Sequence, residues 1–436
     1  MRDYFIFAVV FGLLPFILQR PVLGILTFTL ISLMSPHRLA YGAAYDFPFA
    51  AVVAVATFVS LLLNRDPKRF PITPLTCVLM VFILWMSITG FTAFDPNKAW
   101  SEWSTIMKTL LMVLITIYTI NTKQDLKKLV WVIVLSLGFY GFKGGIFTLS
   151  SGGTSHVLGP EGSYITDNNT LALALITTLP LIWYLQMHSE KKWLRLAFIG
   201  LTVLTIVAAI GSYSRGALLG GGAMLIFLWL KGRQKLLTGV AIAMTVLLAI
   251  NVMPDKWFDR MSTIDNFNED ASALGRINAW HFAINVANDN FMGGGFKSFS
   301  PKMFLVYAPD PLDFHVAHSI YFQVLGDHGF IGLGIFLLLM FLAWRTGTRI
   351  KKWCHQKQDL AWAFDLATMC QVSIIGFSIG GAFLSLPYYD LYYCIVAVLV
   401  ILEKIIVSRI STTNDLGVTA SDVSNIAQRH AQDKTA

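Results

Sequence analysis

The chain has 436 residues, of which 55% are hydrophobic and only 13% charged, about half the charged fraction of a soluble domain. Apolar runs near the bilayer-spanning length recur from end to end, which excludes a water-soluble enzyme and marks a polytopic membrane protein. A formal net charge of +8 would suit nucleic acid, but the distribution described below makes it a topology signal, and no nucleic-acid partner is expected.

A chain in lipid must satisfy its backbone within helices or a closed barrel. The runs are too long and continuous for barrel strands, so the expected fold is all-α, a polytopic membrane helix bundle. Arg20-Pro21 breaks the N-terminal block 4–34 into two pieces, neither of which comfortably crosses about 30 Å of hydrocarbon at ~1.5 Å per residue. The block is read as one net crossing made by two half-helices. The first segment, from Tyr4, has no small-residue cleavage site after it and reads as a retained membrane segment. Further spans are expected near 46–63, 71–94, 104–121, 129–148, 170–187, 194–211, 216–230, 236–253, 329–344, 361–384 and 389–406.

Basic residues alternate with this threading. One set of loops holds Arg65, Lys68 and Arg69; Lys123, Lys127 and Lys128; Lys191, Lys192 and Arg195; Lys231, Arg233 and Lys235; and Arg345, Arg349, Lys351, Lys352 and Lys357. The opposite short loops are nearly free of them, which is the positive-inside pattern. It predicts about twelve crossings with both termini cytoplasmic. The stretch 411–436 is polar, lacks apolar periodicity and reads as a disordered tail behind a membrane domain over 1–410. The cysteines Cys77, Cys354, Cys370 and Cys394 form no C-x-x-C pair, so neither a disulfide framework nor a zinc site is indicated.

Two loops on the non-cytoplasmic side stand out. One is the Gly- and Ser-rich 149–169; the other is 254–317, far longer than a connector needs. Within the second, "GRINAWHFAINVA" has helical spacing, with Ile277, Trp280, Ala283, Ile284 and Ala287 on one face. Chemistry belongs on this face. Arg215 in "GSYSRGALLG", Arg276 in "GRINAW" and Lys143 in "FYGFKGGIFTL" place three cations there. Ionisable groups at membrane depth usually face a bundle interior or cavity, and arginine matches phosphate through its planar fork. The competing readings are snorkelling for Arg215 and Lys143 and an ordinary helix-end charge for Arg276. Asp167, Asn168 and Asn169 open the next span, either as helix caps or as hydrogen-bonding groups for sugar hydroxyls or phosphate.

"HVAHSIYFQVLGDHG" carries His315, His318 and His328. With Asp313 and Asp327 they could hold a metal. Alternatively one is a general base, since histidine titrates nearest neutral pH. His318, where the long loop meets the next span, is best placed; His315 and His328 then support it.

The order "SYSRGALLG", "GRINAW", long loop, "HSIYFQVLGDHGFIG" resembles the O-antigen ligase and polymerase superfamily. "SPHRLAYGAAYDFPFAA", "WVIVLSLGFYGFKGGIFTL" and "DNNTLALAL" look like its branch of exosortase-associated O-glycosylation ligases. The resemblance covers nearly the whole chain except the tail. It departs at Ser319, where many relatives have Asn, and at Asp327, a position often held by Glu.

This resemblance implies a glycosyltransferase of the bacterial inner membrane with a periplasmic active site. The donor would be a glycan on undecaprenyl diphosphate and the acceptor lipid A–core or a protein. Arg215 and Arg276, helped by Lys143, would neutralise the diphosphate. His318 would be the catalytic base, and His315, Asp167, Asn168 and Asn169 would contact donor or acceptor. No D-x-D motif or Rossmann fingerprint occurs, so neither metal nor other cofactor is expected. A polymerase of the same superfamily and a protein O-glycosyltransferase differ only in acceptor. A lipid-linked glycan transporter is the reading from another class, with Lys108 and Asp365 as its nearest approach to midplane charges.

Overall fold

The computed structural model describes residues 2–64, 70–231, 239–240, 247, 253–262 and 271–415. The expected span 236–253 lies largely outside these, as do Arg65, Lys68, Arg69, Arg233, Lys235 and the tail from 416 onward. Among the described residues all regular structure is helical. In chain order the helices are α1 (Arg2–Gln19), α2 (Pro21–Met34), α3 (Phe49–Leu63), α4 (Pro74–Thr89), α5 (Pro96–Thr119), α6 (Lys123–Ser150), α7 (Asn168–Met187), α8 (Lys192–Ile210) and α9 (Arg215–Lys231). They continue with α10 (Asp255–Ser262), α11 (Ala271–Asp289), α12 (Pro301–Tyr307), α13 (Ile320–Cys354), α14 (Ala361–Gly381) and α15 (Asp390–Asp415). Among the described residues seven helical stretches are long and apolar enough to cross a membrane: α1, α6, α7, α8, α13, α14 with its preceding turn, and α15. Shorter apolar helices there are α2, α3, α4 and most of α9.

Several of the helices start where a polar side chain closes the first turn. Thr73 and Thr76 form a reciprocal box before α4, Asp95 accepts from the Lys98 amide, and Thr122 accepts from the Asp125 amide. Such caps satisfy amides that the helix itself leaves open. At the centre stands α15, whose residues from Leu391 to Leu402 are buried on every side except at Cys394, as expected for a helix that is apolar all round. α1 is the opposite case and buries only Val10 and Ile17. α15 stays helical to Asp415, five residues into the expected tail.

The N-terminal block departs from expectation. Asp3 accepts from the amides of Gly42 and Ala44, ahead of α3, while the Leu18 carbonyl accepts from Ser60 and Asn64 at the far end of α3. α1 therefore runs parallel to α3. α2 returns between them, with Gly24 against Thr57 and His37, just beyond its end, against Phe49. Over residues 4–34 the two helices thus run antiparallel, not end to end as two halves of one crossing would. Asp3 then lies at the end of the bundle where α6 finishes, whereas Arg409 pairs with Asp359 at the end where Lys123 begins α6 over Trp362. The termini of the membrane bundle thus lie at opposite ends. Periodicity cannot show this, because the break at Arg20-Pro21 is compatible with either a kink or a reversal.

α9 and α14 cross on glycine. Gly216 and Gly220 face Gly376 and Gly380, and a methyl group on Gly220 would fall 2.9 Å from the Gly376 carbonyl oxygen. This is paired small-x-x-x-small packing, in which backbones meet without side chains between them. Replacement Gly220→Leu is expected to cost about 1–3 kcal/mol through overpacking. Gly222→Leu, where nothing lies within 4 Å of the added carbon, is expected to leave the melting temperature of the detergent-purified protein unchanged. A second test concerns topology. In a cysteine-free background, Tyr4→Cys and Tyr41→Cys are expected to react with an impermeant maleimide from the same side, and Gln356→Cys from the other.

Candidate active site

The expected site residues lie at the end of the bundle that carries the long loops. The turn between α8 and α9 is held from four directions. Val157 donates its amide to the Gly211 carbonyl at 3.2 Å, and Asn168 donates its side-chain amide to the Ser212 carbonyl at 2.6 Å. The Tyr213 hydroxyl reaches the Gly153 carbonyl at 2.6 Å, and Trp257 of α10 bonds the Ile210 carbonyl at 3.0 Å. Tyr213 adopts a left-handed φ of 61°, which turns the chain sharply. Ser214 then caps α9 by accepting from the Ala217 amide. Arg215, half-buried, is the first residue of that helix.

α11 is the platform for His318. Asn278 donates to the carbonyls of Asp310 and Asp313 at 2.8 and 2.9 Å and accepts from the Asp310 amide. Trp280 bonds the Ala317 carbonyl at 2.8 Å and stacks on Phe322. The His315 ring lies directly on Gly275, where no side chain would fit, and pairs with Asp313 at 2.8 Å. Every conspicuous residue of "GRINAW" except Arg276 and Ile277 is thereby spent on fixing 310–317. The helix is buried on two sides, through Ala279, Phe282 and Val286 against Phe304, and through Ala283 and Ala287 against Leu325. The expected single face is thus broader than predicted, and Ile277, Trp280 and Ile284 sit half-buried at its edge.

His318 follows this clamp with a left-handed φ of 43°. Burial holds its pKa below the ordinary histidine value. The Arg276 guanidinium lowers it further, Asp167 acts in the opposite direction, and His315 lowers it by a lesser amount. Arg276, Asp167 and His318 thus share one electrostatic neighbourhood. The Arg215 turn and the His318 segment meet the same end of α14: a methyl on Gly380 would meet the Gly216 carbonyl, beside Arg215, and one on Gly381 would meet Ile320, two residues past His318.

The other expected residues divide. Asp167 accepts from the Asn169 and Thr170 amides and the Thr170 hydroxyl, so it caps α7 as well as facing His318. Asn168 holds the Arg215 turn, and Asn169 reaches Asn168 at 3.4 Å. Lys143 does not join the cluster. It is exposed on α6 beside the exposed Phe142, Ile146 and Phe147, while its neighbours Gly144 and Gly145 pack inward. Its depth along the helix follows from the apolar run, but the face it occupies does not. His328 is fully buried and bonds Thr89 through Nδ1 at 2.7 Å, while His315 is taken by Asp313, so the three histidines do not converge. Among the described residues no three His, Cys, Asp or Glu are gathered as metal ligands would be.

Sequence reasoning passes over "MGGGF" at 292–296. Three consecutive glycines in a folded loop signal close backbone approach, and the structure uses them so: Gly294 and Gly295 donate to the carbonyls of Gly326 and Asp327, both at 2.8 Å.

Residues 1–190 match a family of unknown function, DUF5935, and residues 200–337 match the O-antigen ligase family. A search of curated proteins found no significant match. The second match spans the Arg215 turn, the α11 platform and the His318 segment. The chain is a helical membrane protein whose residues 200–337 form a domain of the O-antigen ligase family, and this places that part of it in the O-antigen ligase-like superfamily.

Proposed function

We propose that the chain is an inverting, metal-independent glycosyltransferase that moves a glycan from undecaprenyl diphosphate to an acceptor hydroxyl at the periplasmic face of the bacterial inner membrane. The leading acceptor is lipid A–core. The observation that supports this reading is the electrostatic neighbourhood of His318, where burial favours the neutral imidazole and Arg276 acts on it, with the Arg215 turn and the His318 segment meeting the same end of α14.

In this reading the acceptor O–H gives its proton to the His318 imidazole. The oxygen attacks the anomeric carbon from the side opposite the diphosphate. The bond between that carbon and the phosphate oxygen breaks, and its electron pair leaves with the diphosphate. Arg215 and Arg276 stabilise the charge that develops there, the larger contribution expected of such a site. Asp167 favours the imidazolium once it forms. The diphosphate is already a good leaving group, so no nucleotide enters. Lys143, on the outer surface, is left to lipid headgroups.

The test is transfer by reconstituted protein with chelator present, using undecaprenyl-diphosphate glycan as donor. His318→Ala is expected to lower kcat by on the order of 100- to 10,000-fold, the usual range for a lost general base. Wild-type activity in that variant removes the base, and loss on chelation removes the metal-free mechanism. Transfer to protein or to a second lipid-linked glycan, with none to lipid A–core, moves the assignment to those acceptors.

The pH profile has a fixed sign. His318 must be neutral to act, and its pKa lies below about 6.5, the unperturbed value. Activity is therefore expected to persist into weakly acidic buffer. Arg276→Gln removes a cation that lowers this pKa, so the acid limb is expected to move to higher pH. Asp167→Asn removes an anion that raises it, so the limb is expected to move to lower pH.

A further inference from the structure

α13 is not one continuous helix. At Gly329 the backbone takes φ 67° and ψ −173°, so Ile320–His328 is a separate half-helix with His318 just ahead of it. A break inside a bilayer leaves carbonyls that lipid cannot satisfy. Here three of them are taken from outside the helix. Gly294 donates to Gly326 and Gly295 to Asp327, both at 2.8 Å, and the Trp85 indole of α4 donates to the His328 carbonyl at 2.9 Å.

The side chains at the break are pinned as well. The fully buried Asp327 carboxylate accepts from the Ser298 hydroxyl at 2.8 Å on one oxygen and from the Tyr388 hydroxyl at 3.0 Å on the other. His328 is held by Thr89 of α4 at 2.7 Å. The opposite edge of the glycine strap faces the N-terminal half, where the Phe94 amide donates to the Gly294 carbonyl at 2.8 Å. The strap admits no side chain. Gly293 and Gly295 have φ of 73° and 75°, and methyl groups there would fall 2.5 Å from the Gly329 nitrogen and 2.7 Å from the Ala93 Cα.

We propose that Asp327, His328 and the strap Gly293–Gly295 position His318, by clamping the half-helix Ile320–His328 to α4 and the outer loop independently of the rest of α13. Trp85, Thr89 and Phe94 fall within residues 1–190, the part matched to a family of unknown function. That part thereby holds the base of the transfer site in register with Arg215 and Arg276. This rests on His318 being the base.

The experiment uses the full-length protein in nanodiscs with the variants Asp327→Asn, Tyr388→Phe and Trp85→Phe. Asp327→Asn and Tyr388→Phe keep the shape of the side chain and Trp85→Phe keeps an aromatic ring, and each removes a hydrogen-bonding group. Asp327→Glu restores the carboxylate, and His318→Ala is the control. Three readouts are taken: kcat and KM for the lipid-linked donor, the pH profile of kcat, and amide hydrogen exchange over 319–328 compared with 335–350. Misplacing a catalytic group by about 1 Å can cost on the order of 100-fold. The expected result is a kcat lowered about tenfold or more with KM for donor changed less than about twofold. It includes faster exchange confined to 319–328, an unshifted acid limb and partial rescue by Asp327→Glu. Wild-type exchange and kcat in all three variants overturn the proposal. So does exchange raised equally in both segments with kcat per folded molecule unchanged, which marks an ordinary stability contact. If His318→Ala keeps its activity, the base assignment fails, while the exchange comparison still decides whether the clamp exists.

Discussion

The structure depends on one approach: the crossing of α9 and α14 where glycine meets glycine. Lipid gives helices no hydrophobic reason to associate, so close packing has to supply it. At this crossing the packing also decides chemistry. Gly216 lies one residue from Arg215, and Gly381 supports Ile320, two residues from His318. The same few ångströms of bare backbone that hold two helices together bring the Arg215 turn and the segment of the proposed base from distant parts of the chain to one end of α14. The caps and clamps around them, from Asn168 on Ser212 to Trp280 on Ala317, refine a placement that the crossing has already made.

The electrostatics of that end contain a conflict that the arrangement resolves. A leaving diphosphate calls for positive charge, and positive charge makes a nearby imidazole a poorer base. In the proposed transfer Arg276 acts in both ways. Asp167 offsets it, and burial favours the neutral form of His318. As the departing group carries negative charge away from the carbon in that reading, the imidazolium and the guanidinium gain a counter-ion.

What can be read in the sequence follows the reach of each signal. Helices are legible because apolar runs of spanning length leave the backbone little alternative. Arg215, Arg276 and His318 stand out in the sequence because charge is rare in such a chain and their order resembles a known pattern; the structure adds that Arg276 acts electrostatically on His318. Lys143 misleads for the opposite reason: an isolated lysine among glycines looks the same whether its face turns in or out, and packing of Gly141 and Gly145 against α8 settles that. The expected span at 329–344 begins at Gly329 because apolar windows start where Asp327 and His328 end. The half-helix before it is held by partners some 240 residues away, which no local pattern contains. The triple glycine is a signal that is present in the sequence and easily left unread.

The hairpin of α1 and α2 has a consequence for how the protein reaches its membrane. Two antiparallel helices joined at Arg20 can enter the bilayer as one unit, each satisfying its own backbone. Asp3 and the turn before α3 lie at one end of that unit and Arg20 at the other. Entering as a pair, they leave the orientation of the helices that follow unchanged.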